Sequence, residues 1–72
     1  MGLTSSERIK IILKRRGMTL GQLAEKTGQT RQNLSNKMGR DNFPEKELCE
    51  IAAALDCDYE ASFIMRDTGE KV

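Results

Sequence analysis

Residues 18–35, MTLGQLAEKTGQTRQNLS, contain two short helix signals separated by a glycine. Thr19 is a good helix N-cap, and Gln22, three residues later, completes a capping box. Gly28 ends the first segment, because glycine readily adopts the left-handed conformation that closes a helix. Thr30 caps the second segment. Neither helix is long enough to be stable alone in water, so the two must pack against each other across a sharp bend.

Two further helices are predicted on either side of this pair. Thr4, Ser5 and Ser6 offer N-caps for a first helix that Gly17 closes. After a loop over 39–42, Pro44 suits the first turn of a last helix.

In each helical segment apolar residues recur at intervals of three and four, which places them on one side of the helix. We therefore predict helices at about 5–16, 19–27, 30–38 and 44–55, forming a compact, mainly α domain over 1–57. The predicted core residues are Ile9, Ile12, Leu13, Leu20, Leu23, Ala24, Leu34, Met38, Leu48, Ile51, Ala52 and Leu55.

The last segment, 58–72, changes period. Apolar side chains alternate at Tyr59, Ala61, Phe63 and Met65, which is typical of a strand. Asp-Thr-Gly at 67–69 favours a turn, so we predict a C-terminal β-strand or short hairpin. Two interpretations remain open. The exposed edge pairs with a second copy through these four residues, or the hairpin folds back over the first and last helices.

Composition limits the class of protein. A chain of 72 residues with 38% apolar and 32% charged residues is one globular domain. No apolar run approaches the ~20 residues that span a bilayer, and the first residues do not resemble a secretory signal, so we expect a cytoplasmic protein. With no histidine in the sequence, Cys49 and Cys57 are expected to be free thiols, and neither a metal site nor another cofactor is predicted. No catalytic pattern is found, so an enzyme is not expected.

Charge is unevenly distributed along the chain, although its net value is only +1. Residues 1–43 hold nine basic and three acidic residues, for a net charge of +6. Residues 44–72 hold three basic and eight acidic residues, for a net charge of −5. This polarity favours a polyanionic partner for the first half, although solvated helix faces could also segregate in this way.

The third helix carries an unusual exposed face. Leu34 and Met38 share the core side, so the opposite face consists of side chains that hydrogen-bond and carry no negative charge. Arginine can bind guanine and glutamine or asparagine can bind adenine in the major groove of DNA. The candidate base-reading residues are Arg31, Gln32, Ser35 and Asn36, with Asn33 at the margin.

Two stretches resemble one known family. Residues 18–35, with Leu23-Ala24, Gly28 and the Thr30 cap, look like the helix-turn-helix of the phage-repressor-like (lambda repressor/Cro, XRE) family. Residues 48–55 resemble that family's closing helix. The resemblance covers about residues 6–57 and implies that Arg31, Gln32, Ser35 and Asn36 contact bases. The phosphate contacts assigned with it are Thr19, Thr30, Asn33, Lys37, Arg40 and Asn42.

Some positions depart from the family pattern. Thr27 and Lys37 stand where aliphatic residues are usual, and Leu20 replaces a polar residue that contacts phosphate in some relatives. Met38 and Arg40 stand where Glu and Gly are common. We expect Met38 to take over core packing and Lys37 to reach toward a phosphate.

The predicted function is sequence-specific transcriptional regulation, repressor-like, with double-stranded DNA as partner and a homodimer as the active form. No membrane partner or small-molecule substrate is expected. The alternative is a protein-interaction or antitoxin-like module on the same fold, because a fold does not determine its function.

Overall fold

The computed structural model describes residues 2–72 and contains four helices within them. These are α1 (Ser5–Arg16), α2 (Leu20–Lys26), α3 (Arg31–Arg40) and α4 (Glu45–Ala54). The mainly α, four-helix architecture predicted from the sequence is confirmed. None of the helices in residues 2–72 combines the length and apolar character needed to cross a membrane.

Three of the four helices begin at a threonine N-cap. The Thr4 hydroxyl accepts a hydrogen bond from the Glu7 amide, and the Thr4 amide donates to the Glu7 side chain. Hydrogen bonding of the Glu7 carboxylate to the Thr4 amide, and then to the Thr4 side chain, lowers the pKa of Glu7. Thr19 forms the predicted capping box with Gln22, and Thr30 caps α3 through the amide of Asn33.

Pro44 is an exception to the sequence prediction for helix starts. It was assigned to the first turn, but it occupies the N-cap position with extended backbone and no side-chain cap, so α4 starts at Glu45. Glu45 and Glu47 lie in the first turn instead. Their carboxylates interact favourably with the positive end of the helix dipole.

The end of α3 also differs from the prediction. The sequence predicts a loop from Gly39, but the helix continues through Gly39 to Arg40. The C-cap residue is Asp41, whose backbone is left-handed with φ of 51°. The reason is a tertiary contact: Asp41 Oδ1 accepts from the Ser6 amide at 2.8 Å, and the Ser6 hydroxyl donates to the Met38 carbonyl at 2.7 Å. Ser6, considered above as a cap, is therefore a buried link between α1 and α3.

The core is built from all four helices. Leu23, Leu34, Ile51 and Leu55 are almost completely buried. Around them lie Ile9, Leu13, Ala24 and Met38. Burying one such side chain contributes about 1.5–3 kcal/mol, so this cluster supplies the main stabilisation of the fold. Met38 packs in the core, as its position in the sequence predicted.

Arg16 joins the end of α1 to the end of α4. Its Nε donates to the Leu55 carbonyl and its Nη2 to the Asp56 carbonyl, both at 3.1 Å. These carbonyls lie just past α4, and carbonyl groups at the C-terminal end of a helix have no hydrogen-bond donor within the helix. The guanidinium thus caps α4 from a neighbouring helix.

The predicted C-terminal strand is not formed. Within residues 2–72 the only β pairing is an isolated antiparallel bridge between Ile64 and Lys71. The expected turn at 67–69 is present, with Gly69 at φ of 76°, and backbone hydrogen bonds join Phe63 to Val72 and Met65 to Glu70. Residues 59–62 form no backbone pairing within residues 2–72, and Glu60 reaches the opposite side only through an ion pair with Lys71 at 2.7 Å, so their alternating pattern does not form a ladder.

The same tail does not fold back as the alternative interpretation proposed. Its first residues, 58–60, line a groove between α1 and α4. Beyond them Phe63 is 83% exposed and Ile64 is 64% exposed, so neither covers a helix. A two-stranded turn without such support is marginally stable, which explains why it stops at one bridge.

Candidate nucleic-acid interface

The two sides of α3 differ sharply in burial. Leu34 and Met38 are buried against the other helices, whereas Arg31, Gln32 and Asn36 are exposed. Ser35 is half-buried, beside Lys10 and Leu20 in a cleft between α1, α2 and α3. The four residues predicted to read bases therefore stand on the solvent-facing side of the helix, with Ser35 the most recessed.

Gln32 and Asn36 are linked on this surface. Gln32 Nε2 donates to Asn36 Oδ1 at 3.1 Å. The pair retains the Gln32 carbonyl oxygen as an acceptor and the Asn36 amide nitrogen as a donor. Adenine offers a complementary edge in the major groove, with N6–H donating and N7 accepting.

Arg31 lies over the first turn of α2. A Cβ at Gly21 would stand 3.6 Å from Arg31 Cδ and 3.9 Å from Thr19 Oγ1. The stem of Arg31 therefore crosses the start of α2 near Thr19. The structure brings this predicted base contact and this predicted phosphate contact together.

A second group lines one cleft beside the C-terminal half of α3. The predicted phosphate contacts Asn33, Lys37, Arg40 and Asn42 share this cleft with Asn36, Pro44 and Glu47. Arg40 was expected in a loop but is the last residue of α3. Thr19 and Thr30 stand apart from this cleft, at the starts of α2 and α3.

Lys37 is the predicted site residue that forms an ion pair within residues 2–72. Its Nζ lies 2.8 Å from Glu47 Oε2 and 3.3 Å from Gln29 Oε1. Gln29 Nε2 also donates to Glu47 Oε2 at 3.3 Å. These three side chains tie the turn before α3, α3 itself and α4 together. The role of Lys37 as a phosphate contact remains a prediction.

Sequence reasoning did not identify Glu47 or Asp41. Glu47 is ten residues from Lys37, so no helical spacing links the two in sequence. A local signal for Asp41 does exist, because aspartate and asparagine tolerate the left-handed conformation that ends a helix. Gly39 precedes Asp41 and is itself typical of a helix end, so the sequence predicted the end of α3 two residues too early.

Residues 2–72 contain no group of three or more His, Cys, Asp or Glu that could hold a metal ion. Cys49 is exposed and Cys57 is half-buried, and both are free thiols.

A bundle of four short helices, with a sharp α2–α3 turn and a polar outer face on α3, defines a helix-turn-helix domain. Residues 8–60 match the Cro/C1-type helix-turn-helix DNA-binding domain family, and the chain belongs to that family. The resemblance to phage repressors found in the sequence is thereby confirmed. No curated protein and no solved structure matches the chain.

Proposed function

We propose that this chain is a sequence-specific transcriptional regulator of the repressor type, which reads the major groove of duplex DNA with α3. The observation that carries the proposal is the outer face of α3, where Arg31, Gln32 and Asn36 are exposed. No acidic residue occurs in Arg31–Arg40. A helix about 10–12 Å in diameter fits a groove about 12 Å wide, so such a face can approach the base edges.

Base and phosphate contacts have separate roles in this proposal. Base reading falls to Arg31 for guanine, to Gln32 and Asn36 for adenine, and to Ser35 as a tolerant contact. Phosphate contacts position the domain without selecting sequence. They are assigned to Thr19, Thr30, Asn33, Lys37, Arg40 and Asn42.

The proposed active form is a homodimer in the cytoplasm, without cofactor and without catalytic activity. Two copies would address half-sites about 34 Å apart, one helical turn of DNA. The proposed contacts between copies are Tyr59, Ala61, Phe63 and Met65. All four are exposed in the single chain, which is consistent with surfaces that await a partner.

Selection of bound sites from random duplexes, followed by titration of Gln32→Ala and Arg40→Ala, tests the proposal. Gln32→Ala should cost about 1–3 kcal/mol on the selected site and relax preference at particular base pairs. Arg40→Ala should weaken all sequences alike and lower the salt slope by about 1. If Gln32→Ala leaves affinity and preference unchanged, α3 does not read the groove.

One observation favours a second candidate, a protein-interaction or antitoxin-like module. The acidic second half of the chain ends in a tail whose Phe63, Ile64 and Val72 are largely exposed. Duplex binding separates the two functions, because a DNA reader with several phosphate contacts binds at low salt and weakens steeply as salt rises. Absence of duplex binding at low salt would leave only the second candidate.

A further inference from the structure

The cleft beside α3 contains an acidic residue among groups suited to phosphate. Glu47 shares it with Asn33, Asn36 and Arg40, and accepts hydrogen bonds from Lys37 and Gln29 on one oxygen, Oε2. The exposed fractions are 33% for the Lys37 side chain and 16% for the Glu47 side chain. This ion pair is therefore partly withdrawn from solvent, on the side of α3 that carries proposed DNA contacts.

Because the pair is partly buried, replacing Glu47 by a DNA phosphate as the partner of Lys37 is unfavourable. A partly buried pair is screened by salt much less than an exposed one. If Lys37 turned to a phosphate, the Glu47 carboxylate would lose its cationic partner in a cleft that faces a polyanion, and an unpaired charge there is costly.

We propose that Glu47 withholds Lys37 from the duplex, so that the phosphate contact assigned to Lys37 under the proposed function is not made in the wild-type chain and the domain neutralises fewer phosphates. Glu47 acts as a positioning residue, since it reaches DNA only through Lys37. Arg40 forms no ion pair within residues 2–72, so Arg40, together with Asn33 and Asn42, carries the phosphate contacts of this cleft. The inference rests on the proposed DNA binding by α3. It adds that the Lys37–Glu47 ion pair limits the affinity for DNA and its salt dependence.

The test compares salt-dependent binding of one selected duplex by four proteins: the wild-type chain, Glu47→Gln, Lys37→Met/Glu47→Gln and Glu50→Gln. Glutamine keeps the size of Glu47 but removes the negative charge that pairs with Lys37. The double variant removes both charges, so its net charge equals that of the wild type. Glu50→Gln adds the same charge on the same helix. Glu50 lines a neighbouring cleft with Lys37 and Glu47, but within residues 2–72 it forms no ion pair with Lys37, so this variant controls for the added charge alone.

Releasing Lys37 should add one phosphate contact. The slope of log affinity against log salt should then steepen by about 0.9 for Glu47→Gln. Over a fourfold rise in salt this corresponds to an extra loss of about 3.5-fold, with tighter binding than wild type at low salt. The double variant should return to the wild-type slope, and Glu50→Gln should change it by less than half as much.

The outcomes distinguish a failure of the inference about Glu47 from a failure of the proposed DNA binding. If the wild-type chain binds duplex but Glu47→Gln has the same slope, or a slope no steeper than that of Glu50→Gln, Glu47 does not withhold Lys37. The inference is also overturned if the double variant keeps the steeper slope. If the wild-type chain does not bind duplex at low salt, the proposed function itself fails. Thermal unfolding of each variant shows whether a change in binding comes from a change in folding.

Discussion

Two aspartates hold the left-handed conformation that closes a helix, but their side chains differ in what they do. Asp41 ends α3 and accepts hydrogen bonds from the amide and hydroxyl of Ser6 at 2.8 and 2.9 Å. Asp56 follows α4 with φ of 57°, and its carboxylate has no hydrogen-bond partner among residues 2–72. The backbone requirement is shared, so any difference between the two sites comes from the side-chain contacts.

Glycine at each position should show this difference. Glycine relieves a left-handed penalty of about 1 kcal/mol but loses more backbone entropy on folding, so Asp56→Gly should change the free energy of unfolding by less than about 0.5 kcal/mol. Asp41→Gly should destabilise by about 1–3 kcal/mol, because the Ser6 amide loses its acceptor. Urea unfolding midpoints check both. Equal midpoints would mean that the Ser6 contact contributes nothing to stability.

At the scale of the helix, the N-caps of α2 and α3 lie where the local sequence predicts them, whereas the end of α3 does not. Thr19 and Thr30 cap through neighbours within three residues, so the local sequence contains the whole interaction. The end of α3 depends on Ser6, 35 residues away from Asp41, and the cap of α4 depends on Arg16. Contacts across such separations leave no local periodicity, which is why the sequence predicted a loop from Gly39.

Gly39 lies inside a helix, where its flexibility is a cost. A Cβ there would meet no atom within 4 Å, and its backbone is helical, so Gly39→Ala should stabilise the protein by about 0.5–1 kcal/mol. Gly17 also has open space around it, but its φ is +62°. Gly17→Ala should therefore destabilise by about 1–2 kcal/mol. Thermal or urea unfolding of the two variants measures this, and a stabilising Gly17→Ala would contradict the argument.

The whole molecule combines a compact helical body with a tail that projects from it. The Cα radius of gyration is 13.8 Å, whereas a compact domain of this length has about 11 Å. Charge separates along the same chain, with the basic residues concentrated before residue 44. The helical body, the core and the polar face of α3 could be predicted from periodicity and caps. The tail could not, because alternating apolar residues predict a strand only where a partner segment or a packed face exists.

We propose that the partner segment of the tail belongs to a second copy of the chain. Phe63 is 83% exposed, and a large aromatic side chain contributes more to an interface than to a solvated tail. Phe63→Ser should therefore shift the mass in solution from twice 8.1 kDa to 8.1 kDa. Ile11→Ser is the matched control, since Ile11 is an exposed apolar residue on α1, outside the tail.

Light scattering during gel filtration measures the mass of each variant over a range of concentrations. If the tail joins the copies, Ile11→Ser should remain a dimer and Phe63→Ser should be a monomer that keeps its helical circular dichroism. Loss of the dimer should also weaken binding to a two-half-site duplex far more than to a single half-site, because the second domain no longer binds as part of the same molecule. A wild-type chain that is monomeric throughout, or a Phe63→Ser variant that stays dimeric, would exclude the tail as the dimer contact.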